Sequence, residues 1–373
     1  MRKIKTENNG LKPIYLFYLF LFCSFFSINK FLVNPVYILG FFVILTSFFA
    51  IKIKKFDKFQ LFLYFYFFIS LLGFLIGIVF FNRIDSDVVY LSSFLYLYCI
   101  ILGAQTLQVG INLTVESRVR VYESIYNFLI FYMSLDLIIR LVVSKNTGSF
   151  YDYKWGIFYF DSNFSALIIL IFLMFSIFLK VKGIYNIGYI RFYIICFLLL
   201  STFSRASIFA FVLSYFLYRF GRKYIFIISL IFSILAIYLF YDLVLNYLSG
   251  NSFVNIDGSF NSKFYLISVA LDNYYNLPVV NKIFGIGLAN FSYYSNGIFA
   301  HNILITFFYE FGFFGILCFV LLLFYSYKKI GKDIFYVIIP FFISGFSLFS
   351  AYMPFFFIIL ACMYIETRGS RDN

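Results

Sequence analysis

The sequence predicts an all-α membrane protein: a polytopic transmembrane helix bundle of about twelve helices with one large extracytoplasmic loop. Three observations predict it. Hydrophobic residues make up 63% of the 373 and charged residues only 12%, with a mean hydropathy of +0.95. No soluble domain of this size keeps that much apolar surface from water. Apolar stretches long enough to cross a bilayer, or nearly so, recur along the whole chain. Lys and Arg collect in alternate connections between those stretches, which is the positive-inside pattern of a multi-pass protein.

The apolar stretches fall at 13–29, 35–51, 59–81, 88–112, 121–143, 163–180, 189–203, 206–219, 224–241, 302–326, 334–350 and 354–366. The first follows Met1-Arg2-Lys3-Ile4-Lys5, which resembles the charged start of a signal peptide. No small-residue cleavage site follows, so it is read as a retained first helix. Stretches 189–203 and 206–219 are parted only by Ser204-Arg205, and the last two meet at Met353-Pro354. Each pair is read as a tight helical hairpin because its outer flanks are basic. With the N-terminus placed in the cytoplasm, 21 Lys and Arg fall on the cytoplasmic side and seven on the other, and both termini come out cytoplasmic.

That frame makes the chain one integral membrane domain, 1–373, with the hydrophilic segments 144–162 and 242–300 outside. Segment 242–300 is the large extracytoplasmic loop. Within it, Phe264, Ile267, Ala270, Leu271 and Tyr274 follow a near-helical period, so 262–277 reads as a helix lying on the membrane surface. The net charge of +13 would suggest nucleic acid in a soluble protein; here the topology accounts for most of it, and no nucleic-acid partner is expected. Cys23, Cys99, Cys196, Cys318 and Cys362 all lie in apolar stretches without paired spacing, which argues for buried small side chains.

Ionisable groups within or at the edge of spans cost a few kcal/mol each. Asp136 and Arg140 stand four apart on one helix face and neutralise each other; a pair that eases insertion is the favoured reading, a relay or substrate contact the other. Arg205 sits among hydroxyls in Ser201-Thr202-Phe203-Ser204-Arg205-Ala206-Ser207, where a guanidinium can fork onto phosphate oxygens or simply snorkel to lipid headgroups. Glu310 either orients a polar group in a cavity or is a protonated glutamate bound to neighbouring backbone. In a regular helix it lies about 13.5 Å along the axis from His301, so the two form no dyad. His301, the only histidine, titrates near neutrality and can serve as a base, a phosphate contact or a helix cap. Gly312 and Gly315 allow close helix packing. With no Asp-x-Asp pair accompanied by nearby acids and no Walker-type phosphate loop, neither a metal nor a cofactor is expected.

Four patches together resemble the bacterial O-antigen ligase and O-antigen polymerase superfamily. Asn163 to Ala166 opens a span as an Asn-x-x-Ala element, and Ser204-Arg205-Ala206 is similar to the family's Ser-Arg-Gly/Ala turn. Phe284-Gly285-Ile286-Gly287-Leu288-Ala289-Asn290-Phe291 resembles its Phe-Gly-x-Gly-x-x-Asn-Phe element. His301-Asn302 with Gly312 and Gly315 resembles its His-Asn-x9-Gly-x-x-Gly motif. The patches stand in the family's order over 161–315. One departure is that the family's loop arginine is replaced by Lys263, within Gly258-Ser259-Phe260-Asn261-Ser262-Lys263-Phe264-Tyr265, which supplies charge without the bidentate fork.

The resemblance implies a metal-independent, polyprenyl-pyrophosphate-dependent glycosyltransferase of the bacterial cytoplasmic (inner) membrane, with its site on the outer face. It would polymerise undecaprenyl-pyrophosphate-linked repeat units into O-antigen, capsule or exopolysaccharide. A ligase that moves the glycan onto lipid A core is the alternative. His301 and Arg205 are then the expected catalytic residues, and Lys263, Asn163, Asn302 and Glu310 the expected substrate-binding ones. The partners implied are the lipid-linked glycan as donor and acceptor, membrane lipid, a chain-length regulator and a flippase. A lipid-linked oligosaccharide flippase is the rival from another class; such a transporter should show two similar halves, and this sequence shows none.

Overall fold

The computed structural model describes residues 11–25, 35–50, 56–81, 88–145, 153–154, 161–220, 258–300, 302–345 and 354–369. His301 and the expected helix at 224–241 lie outside the described residues, as do 242–257 of the expected extracytoplasmic loop. The described residues form thirteen helices and no sheet. In order these are α1 (Leu11–Phe22), α2 (Pro35–Ala50), α3 (Lys58–Phe81), α4 (Val88–Ile111), α5 (Val115–Lys145), α6 (Ser162–Val181) and α7 (Tyr189–Leu200). There follow α8 (Arg205–Phe220), α9 (Gly258–Tyr274), α10 (Val279–Phe284), α11 (Ile303–Ile330), α12 (Phe335–Gly345) and α13 (Pro354–Gly369). Five of them, α3, α4, α5, α6 and α11, are long and apolar enough to cross a membrane, and the chain is a multi-pass membrane protein on that ground.

Burial separates a central layer from a lipid-facing one. The apolar windows of α4 and α6 are each 83% buried, against 33% for α3 and 28% for α5. In α13 the run Phe355–Cys362 is enclosed, and this helix packs along α4 and touches α6 and α11. Lipid tails are as apolar as leucine, so what holds such helices together is close packing and polar contact. Gly103 of α4 provides the first: a β-carbon there would stand 2.9 Å from the Phe357 carbonyl oxygen. Between α3 and α4, Gln60 donates to Gln108 at 3.0 Å and Gln105 to the Tyr64 hydroxyl at 2.8 Å, satisfying amides that lipid could not.

Four of the five described ion pairs gather at one end of the bundle: Arg118–Glu366 at 2.7 Å, Lys182–Asp333 at 2.7 Å, Arg191–Glu123 at 3.2 Å and Arg368–Asp57 at 2.6 Å. They join the start of α3, the α4–α5 connection, the α6–α7 connection, the residues before α12 and the end of α13. These are connections in which the basic residues concentrate, so that excess occupies one end. The Arg118 pair is forked, with Nη2 on the second Glu366 oxygen at 3.0 Å and the Tyr122 hydroxyl on the first at 2.7 Å. The hairpin expected at Ser204-Arg205 is present, with α7 and α8 joined by residues 201–204. All five cysteines are free, and all but the half-buried Cys196 are buried.

Candidate functional site

At the end of the bundle opposite the ion pairs, the residues singled out in the sequence belong to two clusters. The first is built around the turn between α7 and α8. Thr202 turns its hydroxyl back to the Leu199 carbonyl (2.6 Å) while accepting from the Ser204 N–H (3.2 Å). Phe203, the residue between, takes a left-handed φ of 52°, a conformation that needs outside support in a bulky residue.

Three neighbouring segments give that support. The Ser201 carbonyl accepts from Arg140 Nη1 at 3.3 Å and from the Tyr153 hydroxyl, and the Thr202 carbonyl accepts from Ser162 Oγ at 2.9 Å. On the far side Ser207 Oγ meets Ser344 Oγ of α12 at 3.0 Å. Arg205 is the first residue of α8 and its side chain is exposed.

Asp136 and Arg140 form the i,i+4 pair that their spacing predicted, with Nε 3.0 Å from Oδ2. Ser165 donates to the same carboxylate oxygen at 3.0 Å, and the Arg140 guanidinium carbon lies 5.2 Å from the Tyr153 ring centroid. Burial raises the Tyr153 phenol above its ordinary pKa, so at neutral pH it stays protonated and can donate. Asn163 is at the start of α6 under the N-cap Asp161: its N–H donates to Asp161 Oδ1 at 3.0 Å and its Nδ2 to Oδ2 at 2.8 Å. A sequence reading finds Arg140 and Asn163 but gives no sign of Tyr153 or Ser344, whose partners are remote in the chain.

The second cluster joins two motifs that are separate in the sequence. Asn302 is the N-cap of α11, accepting from the Leu304 N–H at 2.8 Å. The helix does not then continue regularly. Thr306–Phe311 is a π-helical turn, and Gly312 follows with φ 63° and ψ 179°. The carbonyls of Tyr309 and Glu310 accept instead from the N–H groups of Ile286 and Gly287, at 2.8 and 3.2 Å. The regular helix expected through Glu310 is therefore interrupted at Thr306–Gly312, where the Gly285–Gly287 loop takes these carbonyls as partners.

Glycines make this approach possible. A β-carbon on Gly312 would stand 2.6 Å from the Ile283 carbonyl oxygen, one on Gly285 would overlap the Glu310 carbonyl oxygen, and one on Gly77 of α3 would stand 2.5 Å from the Gly285 carbonyl oxygen. Asn281 closes the knot by donating to both Gly77 and Gly285 carbonyls, at 2.9 and 3.0 Å. Glu310 is buried, its carboxyl group lying against the backbone of Ala289 and Phe291 and the Thr306 side chain. Its Oε1 has no hydrogen-bond partner among the described residues.

Aromatic rings cover the knot: Tyr309 stacks edge-on to Phe291 (5.1 Å between centroids) and Tyr274 (5.6 Å), and its hydroxyl donates to the Ala270 carbonyl. A small apolar crevice beside it, of about 10 Å³, is lined by Gly73, Phe74, Phe284, Phe311, Phe314 and Gly315 among others. Lys263 lies within α9, as the expected helix at 262–277 requires, and its side chain lies outside the described residues. Gly77 and Asn281 carry no local sequence signal; their reason is the loop they touch.

Compared with protein-family models and with curated protein sequences, the chain matches none.

Proposed function

We propose that this chain is a glycosyltransferase of the bacterial inner membrane that polymerises glycan repeat units carried on undecaprenyl pyrophosphate. The observation that carries the reading is the second cluster. The Phe-Gly-x-Gly and His-Asn-x9-Gly-x-x-Gly patches, two of the four that carry the resemblance, meet through main-chain hydrogen bonds of Ile286 and Gly287 to Tyr309 and Glu310. A glycine-locked loop inserted into a broken membrane helix is the architecture that builds polar sites at membrane depth.

In this reading the ion-paired end faces the cytoplasm, twelve helices span, and the 242–300 loop and both clusters lie on the outer side. The acceptor hydroxyl attacks the anomeric carbon of the donor glycan. The glycosidic carbon–oxygen bond forms as the bond to pyrophosphate breaks, and undecaprenyl pyrophosphate leaves. His301 takes the hydroxyl proton, while Arg205, with Lys263, stabilises charge on the departing pyrophosphate. Its exposure next to a pinned turn supports this role for Arg205.

The test is purified protein with a synthetic undecaprenyl-pyrophosphate repeat unit, read as glycan length. Arg205→Ala is expected to abolish extension and Arg205→Lys to restore part of it, with membrane levels unchanged. His301→Ala is expected to lose about 10²- to 10⁴-fold in rate. Wild-type polymer from Arg205→Ala, or full activity from His301→Ala, would overturn the respective role. Complementation of polymerase-null and ligase-null strains separates repeat-unit polymerisation from transfer to lipid A core.

A further inference from the structure

We propose that Asp136, Arg140 and Tyr153 are positioning residues for the turn that presents Arg205, so that a buried ion pair of α5 sets the aim of an exposed guanidinium on α8. The inference rests on the reading of Arg205 as the pyrophosphate ligand for its functional consequence, though the mechanical link stands on the contacts alone. Arg140 is 1% exposed, so it acts through the turn and does not reach a substrate itself.

A pair that only eased insertion would need Asp136 and Arg140 to neutralise each other and nothing more. Arg140 does more. Its Nε goes to Asp136, fixing the plane of the guanidinium, while Nη1 crosses to the Ser201 carbonyl at the end of another helix. Asp136 Oδ2 is itself held by Ser165 of α6. Tyr153, from a third segment, places its ring beside the guanidinium and its hydroxyl on that same carbonyl.

Two carbonyls of successive residues, Ser201 and Thr202, are thus held by side chains of α5, the 153 segment and α6. Between those anchors and Arg205 lie only the left-handed Phe203 and Ser204. Any slackening at Ser201 must be taken up in that short piece, and the first turn of α8 moves with it.

The experiment uses the full chain in detergent with Cys196 replaced by Ser. A nitroxide is attached at Arg205→Cys or, as control, at Val212→Cys, an exposed position further along α8. Tyr153→Phe keeps the ring and removes only the hydroxyl; the pair Asp136→Asn with Arg140→Gln removes the charges together and leaves no uncompensated ion. Both changes are expected to narrow the spectrum at 205 and leave that at 212 unchanged. An unchanged spectrum at 205 overturns the proposal, as does equal loosening at both positions, which marks a merely structural role.

A second arm, without spin label, measures binding of farnesyl pyrophosphate against farnesol. Tyr153→Phe is expected to weaken the pyrophosphate probe about 2- to 12-fold, the equivalent of one hydrogen bond. It should add nothing in the Arg205→Ala background, and Arg140→Lys should recover part of the affinity lost in Arg140→Gln. Additive losses would overturn action through Arg205. If Arg205→Ala binds the probe as wild type does, the pyrophosphate reading fails while the spectra still decide the positioning role.

Discussion

Replacing Gly312 by Ala tests whether the broken helix is real, and its cost can be worked from two separate causes. The first is conformational. With φ 63° and ψ 179°, Gly312 occupies a region that is nearly glycine-only, where another residue costs of order 1–3 kcal/mol. The second is steric: the β-carbon would come within 2.6 Å of the Ile283 carbonyl oxygen and closer still to the Gly285 N–H. Both are backbone atoms that cannot swing away, and overpacking of this kind costs about 1–3 kcal/mol. Gly331 isolates the first cause, since it has φ 83° and ψ −158° with nothing within 4 Å of its would-be β-carbon. Gly77 isolates the second, since it lies in regular α3 with the Gly285 and Phe284 carbonyl oxygens 2.5 and 2.8 Å away. Gly331→Ala and Gly77→Ala should each lose about 1–3 kcal/mol, and Gly312→Ala about 2–6 kcal/mol. The assay is unfolding in mixed micelles, with retention of the monodisperse peak after heating as a second measure. Equal losses from Gly312→Ala and Gly331→Ala would refute the close approach of the 283–287 loop to α11.

Further outcomes follow from the same contacts. Glu366→Gln strands the Arg118 guanidinium, whose side chain is 5% exposed, and should cost about 3–5 kcal/mol; Arg118→Met with Glu366→Leu should recover most of it, checked by the same unfolding assay. Asn281→Ala removes two hydrogen bonds to carbonyls and should cost about 1–3 kcal/mol, with a larger loss of glycan extension than Asn273→Ala on neighbouring α9. Cysteines at Asn296 and Asn186, both exposed, should differ in labelling by an impermeant thiol reagent on spheroplasts: Asn296→Cys reacts and Asn186→Cys does not. The reverse pattern would turn the proposed topology over. Ser295 is unsuitable for that test because it is buried and donates to the Ile298 carbonyl at 2.5 Å.

What the sequence made legible was whatever is decided within one helix or one turn. Hydropathy located α1 to α8 and α11 to α13, because apolar length is all a span requires; α9 showed only in its helical period, and nothing in the sequence announced α10. The Asp136–Arg140 pair followed from i,i+4 spacing, and the hairpin at Ser204-Arg205 from the brevity of its link. What stayed hidden was decided across the chain. Arg118 counted as one more basic loop residue, and nothing local marks Glu366 as its buried partner. Tyr153 looked like any tyrosine of a polar segment until the Ser201 carbonyl was placed beside it. Gly77 looked like an ordinary glycine of an apolar span.

The break in α11 shows why such features resist local reading. Stretch 302–326 has the composition of an uninterrupted helix, and hydropathy has no means to register a missing helical hydrogen bond. Within a membrane an unpaired carbonyl costs several kcal/mol, so irregular backbone survives only where other protein groups satisfy it. Tyr309 and Glu310 find those groups in the N–H of Ile286 and Gly287, and the loop can come so close only because residues 285 and 312 lack side chains. The glycines of the two motifs are thus one requirement met from both sides of a contact. Each motif alone is compatible with simple close packing; the pair, together with Gly77 and Asn281, makes sense only if the 283–287 loop and the membrane helix were built to meet. A substitution that spares Gly285 but fills Gly312 should therefore cost as much as the converse, and filling both should cost less than the sum, since once the loop is expelled the second β-carbon meets nothing.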